Sequence, residues 1–395
     1  MTTPRVKAPS PMFGDPLIVL LAAWLIVSAV ACFGVYIAQR ERPPASVGEI
    51  EPTVLIVPVR GIPTYLPELW RGICAQTHRP ARVIFAVEST QDPAYARLQK
   101  LTGGPPVEVV VAGEATRRGQ KIHNMLAALG RLEPTDAIVI FADSDIAPAA
   151  DWLARLLRDL DSQHVGTTSG YRWLIPADER WSTAFVCIVN ASIASTPRDS
   201  KWANAWGGSM ALRRHAIEAL ALPTLWDRAV SDDLTISPAV RALGGKVRSP
   251  RDALVPALAS YSWKDAIVFG RRQYLFTRTH APQLWIVAAA ATTIPLVGWV
   301  TALPLALMGN KLAIGTIVVA YALDYARARL RERIPRNLWG VESQPRIKWL
   351  DRWATPAWLA LHAAVIWSTL FGRTIRWAGR TYRIDAKQRL QQSEF

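Results

Sequence analysis

Two acidic pairs have the residue types and spacing for charge chemistry. Asp143-Ser144-Asp145 follows the apolar run Ala137–Phe141. Carboxylates two residues apart at the end of a buried strand suit a hard divalent cation. Mg2+ or Mn2+ takes oxygen ligands and bridges to phosphate, and such an ion neutralises charge on a leaving diphosphate. The same aspartates could instead cap the helix expected after Pro148, and a lone D-x-D is a weak signal. The second pair, Asp232-Asp233, precedes a helical pattern over Ile236–Leu243 that Gly244-Gly245 ends. Acid at the positive end of a helix has an ordinary structural use. Its chemical use is as a general base that takes the proton of an attacking hydroxyl in an inverting transfer. Two basic groups complete the set. In Arg271-Arg272-Gln273-Tyr274 the arginines could hold a diphosphate and the aromatic could pack on a sugar or base, or the stretch could flank a membrane segment. Lys121, in Lys121-Ile122-His123-Asn124, is either a phosphate contact or a solvated helix lysine.

The elements that must position these groups alternate. Short β-branched runs at Thr53–Pro58, Arg82–Val87, Val107–Ala112 and Ala137–Phe141 read as buried strands. Helical patterns fall between or after them at Pro67–Gln76, Ala94–Leu101, Lys121–Leu132 and Trp152–Leu160. Gly103-Gly104-Pro105-Pro106 stops the second of these. This β-α-β order predicts an α/β fold with a parallel, doubly wound sheet. Ligands of such sheets sit beyond the carboxyl ends of the strands, which is where Asp143 and Asp145 fall.

Half of the 395 residues are hydrophobic, and the formal net charge is +15. Nucleic acid, an anionic membrane surface and a phosphate-bearing substrate all fit that charge. No nucleic-acid module is present in the sequence, and the apolar runs favour the membrane and phosphate readings. Leu17–Ala38 has 22 residues without a charge, enough for a ~30 Å hydrocarbon core. It reads as an anchor and not as a cleaved signal, followed by a linker at Arg42-Pro43-Pro44. Further apolar stretches are Ala281–Asn310, Leu312–Leu323 and Trp353–Gly372. Arg40 and Arg42 predict a cytoplasmic catalytic domain. The basic segments Arg327–Arg333 and Arg373–Lys387 also belong on that side, so 353–372 is expected to be re-entrant or interfacial unless the count of crossings is off by one. Ala184–Ala194 is either an interfacial helix that guides a lipid or a core helix. The three cysteines show no C-x-x-C spacing and read as reduced structural thiols.

Taken together and in order, these motifs resemble the ceramide glucosyltransferase family, membrane relatives of the family-2 glycosyltransferases. The resemblance covers roughly residues 50 to 280 and rests on Val57-Pro58-Val59-Arg60-Gly61, Val87–Ala94 with Asp92, Lys121–Asn124, Asp143–Asp145, Trp206–Met210 and Asp233. A weaker likeness lies at Trp377–Tyr382. It implies a GT-A (Rossmann-like) catalytic domain over 43–280, an N-terminal anchor and linker over 1–42, and C-terminal membrane helices with a basic tail over 281–395. It further implies transfer of glucose from UDP-glucose to a lipid hydroxyl. Asp233 would be the base with Asp232 beside it. Asp143 and Asp145 would hold Mg2+ or Mn2+. Pro58, Arg60, Glu88, Asp92, Lys121, Asp143, Arg271, Arg272, Gln273 and Tyr274 would contact the nucleotide-sugar. Trp206–Met210 would line the acceptor side. The membrane of residence would be a bacterial inner membrane. One departure is plain: the family's Q-x-x-R-W is replaced here by Gly270-Arg-Arg-Gln-Tyr274. That leaves room for a hopanoid or diacylglycerol acceptor. The same motifs also fit a processive polysaccharide synthase, and the fold could serve an inactive membrane scaffold or lipid carrier.

Overall fold

β-branched and aliphatic side chains with no polar face must be covered on both sides, so the strands of this chain lie in the middle of helical layers. The computed structural model describes residues 15–39, 51–62, 65–160, 163–196, 203–377, 379–385 and 390–394. The expected linker at 42–44, the flanking Arg40 and Arg42, and Lys387 lie outside the described residues. The order begins with α1 (Pro16–Ala38), β1 (Thr53–Pro58), α2 (Leu66–Cys74), β2 (Arg82–Val87), α3 (Tyr95–Leu98), β3 (Val107–Val111), α4 (Gln120–Leu129), β4 (Ile138–Ala142) and α5 (Trp152–Leu157). It continues with β5 (Thr167–Ser169), β6 (Tyr171–Pro176), α6 (Trp181–Ala194), β7 (Ser209–Arg213), α7 (Arg214–Ala219), α8 (Leu222–Leu225), α9 (Asp233–Ala242), β8 (Val247–Arg248) and β9 (Leu254–Ala259). The last part holds α10 (Trp263–His280), α11 (Pro282–Leu307), α12 (Lys311–Trp339), α13 (Pro345–Trp353), α14 (Thr355–Ser368), β10 (Thr374–Trp377), β11 (Arg380–Ile384) and β12 (Leu390–Glu394).

The main sheet has seven strands in the order β3-β2-β1-β4-β7-β5-β8. Its first half is parallel, as expected; β7 then pairs antiparallel with both β4 and β5. Val54, Ile56, Ile84 and Phe141 point to a core under α4, α7 and α9, while Leu55, Val57, Phe85 and Ile140 point to the opposite core under α2 and α5. A separate parallel pair, β6 and β9, is tied to the loop after β4 by the Ala147 amide, which donates to the Pro256 carbonyl at 2.8 Å. That contact sets the second pair beside Asp143–Asp145.

Among the described residues two helices, α1 and α11, are long and apolar enough to cross a membrane. At 1.5 Å per residue they measure about 35 and 39 Å. Together with α12 they form a bundle in which Trp24 packs against Trp299, and α11 and α12 make a hairpin across Gly309-Asn310. Val30, Phe33, Ile286, Val300 and Val318 face outward from it. The basic segment 327–333 is not a loop: α12 runs unbroken from Lys311 to Trp339. Asp324, Arg327 and Arg331 share one helix face and turn inward. Arg331 bonds both oxygens of Asp351 on α13 at 2.9 Å, and Arg327 reaches Asp324 at 2.6 Å. From Gln344, which donates to the Pro176 carbonyl near the catalytic domain, α13 runs antiparallel to α12 until Trp353 meets Tyr321 and Tyr325. The chain then reverses, and α14 returns until Trp285 donates to the Thr369 hydroxyl. At 14 residues, about 21 Å, α14 is shorter than a ~30 Å hydrocarbon core, and α13 and α14 form a helical hairpin against α11 and α12.

Helix α6 is a core helix and not an interfacial one, with Ala184, Phe185, Val186, Cys187 and Ile188 buried against α10 and α14. The basic tail, grouped above with the membrane helices, instead forms a three-stranded antiparallel sheet, β10-β11-β12. Its Ile375, Tyr382, Ile384 and Leu390 pack on Val230 and Leu275 of the catalytic domain.

Candidate active site

The strand β4 ends at Ala142, so Asp143 emerges from the carboxyl edge of the sheet. Its amide donates to the Gly208 carbonyl at 3.1 Å, which pins the loop to the turn before β7. The helix α4 starts behind that edge. Gln120 and Asn124 anchor it: Gln120 accepts from the Ala115 amide and Asn124 donates to the Ala86 carbonyl. This places Lys121 between the two acidic pairs. Its Nζ lies 2.8 Å from Asp143 and 3.1 Å from Asp232. Burial disfavours a charged lysine, but Asp143, Asp232 and Asp233 outweigh it and hold the ammonium ionised well above the ordinary range.

The aspartates differ in their surroundings. Burial pushes the Asp232 carboxyl up to about 6; Lys121 opposes that rise, and the like charges of Asp233 and Asp143 add to it. Asp145 is exposed at its surface, yet loss of solvation in the mouth of the site, followed by repulsion from Asp143, raises its carboxyl. Asp233 opens α9, and its carboxylate accepts from the Gly207 amide (3.0 Å), the Ser231 hydroxyl (2.7 Å) and the Leu234 amide (2.7 Å). These bonds fix its orientation. The glycines opposite are required by space. A Cβ on Gly207 would sit 1.8 Å from an Asp232 oxygen, and one on Gly208 would sit 2.5 Å from an Asp143 oxygen.

Asp143 and Asp145 offer hard oxygen donors to a divalent cation. Among the described residues no three His, Cys, Asp or Glu side chains gather as a complete ligand set. That suits an ion that takes one or two carboxylates and completes its shell with phosphate and water. A cation between them would also relieve the repulsion that raises Asp145. The donor set fits Mg2+ or Mn2+ equally.

The remaining expected contacts divide. Pro58 and Arg60 lie at the end of β1 and in its turn, where both oxygens of Asp92 accept from the Gly61 amide at 3.0 and 3.1 Å. Glu88, at the end of β2, is bound by Arg380 of β11 at 2.6 Å. Arg272 faces the acidic centre and feels Asp143 and Asp145. Arg271 does not: it donates to the Ser368 and Phe371 carbonyls at the end of α14, because it projects from the opposite side of α10. Tyr274 is likewise turned away, buried with its hydroxyl hydrogen-bonded to His362 Nε2 at 2.6 Å. Gln273 accepts at its carbonyl from the Thr277 hydroxyl one turn on.

The sequence profile of glycosyl transferase family 21 matches residues 17–390. The chain belongs to that family. The match takes in both apolar helices and the tail sheet as well as the catalytic domain, and it makes this protein a glycosyltransferase of the ceramide glucosyltransferase-like group. No curated protein matches the chain. Among solved structures it is similar to a mannosyltransferase from Pyrobaculum calidifontis in complex with GDP-mannose and Mn2+, at 18% identity and TM-score 0.45 over 90% of this chain and 98% of that one. A glucosyl-3-phosphoglycerate synthase from Mycobacterium tuberculosis, with Mn2+, UDP-glucose and glycerol 3-phosphate, gives 14% identity and TM-score 0.39 over 61% and 86%.

Arg380, inside the weaker family likeness at Trp377–Tyr382 but given no role there, reaches the site through Glu88. A second arginine has no counterpart among the expected site residues. Arg172, on β6, has its guanidinium 4.8 Å from the Phe269 ring centre and 5.8 Å from that of Trp206. The one available signal was a cation between two aromatics in Tyr171-Arg172-Trp173, which by itself describes many strands.

Proposed function

We propose that this transferase moves a hexose from a nucleotide-sugar to the hydroxyl of a membrane lipid, with inversion, at the cytoplasmic face of a bacterial inner membrane. Following the family resemblance, the donor is UDP-glucose and the acceptor is a lipid such as ceramide. The observation that carries the reading is the meeting of Lys121, Asp143 and Asp232. Three distant segments place one buried ammonium among four carboxylates at the carboxyl edge of a parallel sheet. Such an excess of negative charge next to Lys121 and Arg272 suits a diphosphate bound with a divalent cation. The apolar α1 and α11, each long enough to cross a membrane, support a membrane-borne acceptor.

In this reading Mg2+ or Mn2+, held by Asp143 and Asp145, supplies positive charge to the diphosphate. Lys121 adds a fixed cation on the same side. Asp233, oriented by the Gly207 amide and by its own helix, takes the proton of the acceptor hydroxyl. The acceptor oxygen forms a bond to the anomeric carbon as the bond to the diphosphate oxygen breaks, and the electron pair leaves on the diphosphate. Asp232 keeps Lys121 in place.

The test is to incubate the detergent-purified protein with Mn2+, radiolabelled nucleotide-sugars and ceramide, diacylglycerol or hopanoid acceptors, and to count label in the lipid phase. Label on one lipid, abolished in Asp233→Asn, is the expected result. Label in a polymer would contradict transfer to a single lipid hydroxyl, and undiminished label in Asp233→Asn would remove the base.

A further inference from the structure

Two guanidinium groups share one aromatic ring beside the acidic centre. Arg172, from β6, lies 4.8 Å from the centre of Phe269, and Arg272, from α10, lies 5.4 Å from it and 5.4 Å from Trp377. The Nε of each is buried without a hydrogen-bond partner. Among the described residues neither forms an ion pair, although both feel the field of Asp145. Like charges brought together out of water repel, and burial followed by the nearness of Arg172 lowers Arg272 to about 10. A ring face offsets part of that cost but leaves the planar donor forks unused. Forks of this kind match phosphate oxygens in a two-point fashion.

The placement is built by several elements. Ile146 bridges Ala257 of β9, and β9 carries β6 alongside the Asp143–Asp145 loop with Arg172 paired to Val255. Phe269 is held by Tyr261, 5.1 Å away. Gly270 lets α10 press on α14, since a Cβ there would lie 3.1 Å from Val365. The cations are thus set on a strand and a helix rather than on a loop.

We propose that Arg172 joins Arg272 in a two-guanidinium clamp for the terminal phosphate of a nucleoside diphosphate, the phosphate that carries the sugar in the donor. The inference rests on the transferase reading above and adds to it a residue on β6. The clamp explains why two cations remain without anionic partners next to a surplus of carboxylates: the carboxylates would hold a metal, and the arginines would hold the sugar-bearing phosphate.

The test is isothermal titration of the full detergent-purified chain, in Mn2+, with UDP, GDP, UMP and GMP. Arg172→Gln keeps much of the side-chain stem, and Arg172→Lys keeps the charge without the fork. The expected result is that Arg172→Gln weakens binding of the preferred diphosphate by about tenfold to a hundredfold, with the matching monophosphate changed less than about twofold. Arg172→Lys should fall between, with a thermal midpoint near that of the wild type. Equal affinity of Arg172→Gln and wild type for the diphosphate would overturn the clamp, as would a selective rise in KM for the lipid with nucleotide binding intact. Equal loss of mono- and diphosphate binding in both variants would overturn it too, by assigning Arg172 to packing. A wild-type chain that binds neither UDP nor GDP would instead bring down the transferase reading, and the clamp with it.

Discussion

Two charge clusters in this molecule, one buried between helices and one partly open at the sheet edge, are built to opposite rules. On α12 and α13, Asp324 and Asp351 meet Arg327 and Arg331, two against two, and Arg331 satisfies both oxygens of Asp351. At the sheet edge, four carboxylates face a single lysine, and two arginines stand apart against an aromatic ring. The first cluster is balanced in charge, each arginine having a carboxylate partner, although the Nε atoms of Arg327 and Arg331 are buried without a hydrogen bond. The second is segregated, negative on one side and positive on the other, so its partners must come from outside. A balanced buried network fixes how helices pack; a segregated one prepares a site for an ion and its counter-ion.

Changes in the segregated cluster should therefore remove function and spare the fold. Asp145→Ala removes one of two proposed metal oxygens and should lower turnover by about a thousandfold or more, in the range known for removal of an essential electrostatic group. The check is label transfer at saturating Mn2+, with the thermal midpoint held near that of the wild type. Gly207→Ala should be nearly as damaging, because its methyl group overlaps the Asp232 carboxylate. Loss of turnover in a folded, monodisperse protein is the expected result; full activity would mean that Asp232 can move without consequence.

The balanced cluster should show the reverse. Asp351→Asn strands Arg331 in the protein interior and should cost about 3–5 kcal/mol of stability, as for other broken buried pairs. Activity per folded molecule should stay within about twofold. A drop in the thermal midpoint measures the first, and specific activity of the surviving fraction measures the second.

The smallest expected effect concerns pH. The Asp232 carboxyl is raised from 3.8 to about 6 in the folded chain. Between those values the folded state holds a proton that the unfolded chain has released. Stability of the metal-free protein should therefore fall as pH rises from 4 to 6 and level off above that. Asp232→Asn should flatten this slope in midpoints recorded in EDTA.

The contrast also explains what could be read from the sequence. The strands Thr53–Pro58 and Arg82–Val87 are legible to the residue, because a buried parallel strand is a short apolar run with sharp ends. The acidic pairs and Lys121 are legible as candidates, though their meeting depends on α4 and α9, which begin more than a hundred residues apart, converging on β4. The segment 327–333 reads as a basic flank, and its charge alone does not show that part of it turns inward. In fact Asp324, Arg327 and Arg331 recur on one helix face, where each finds a partner. Arg271 and Arg272 are adjacent and look equivalent, yet helical geometry sends one to the end of α14 and the other to the site. Arg172 belongs to a strand whose neighbour, β9, is more than eighty residues downstream, so no local pattern could assign it.

The central claim is that the segregated charges await a divalent cation and a nucleoside diphosphate together. The most direct measurement is calorimetric titration of UDP and GDP into the purified protein with Mn2+ and again in EDTA. The account predicts at least about tenfold tighter binding of one diphosphate with the metal, and loss of that gain in Asp145→Asn. Binding that is equally tight with and without Mn2+, and unchanged in Asp145→Asn, would contradict it.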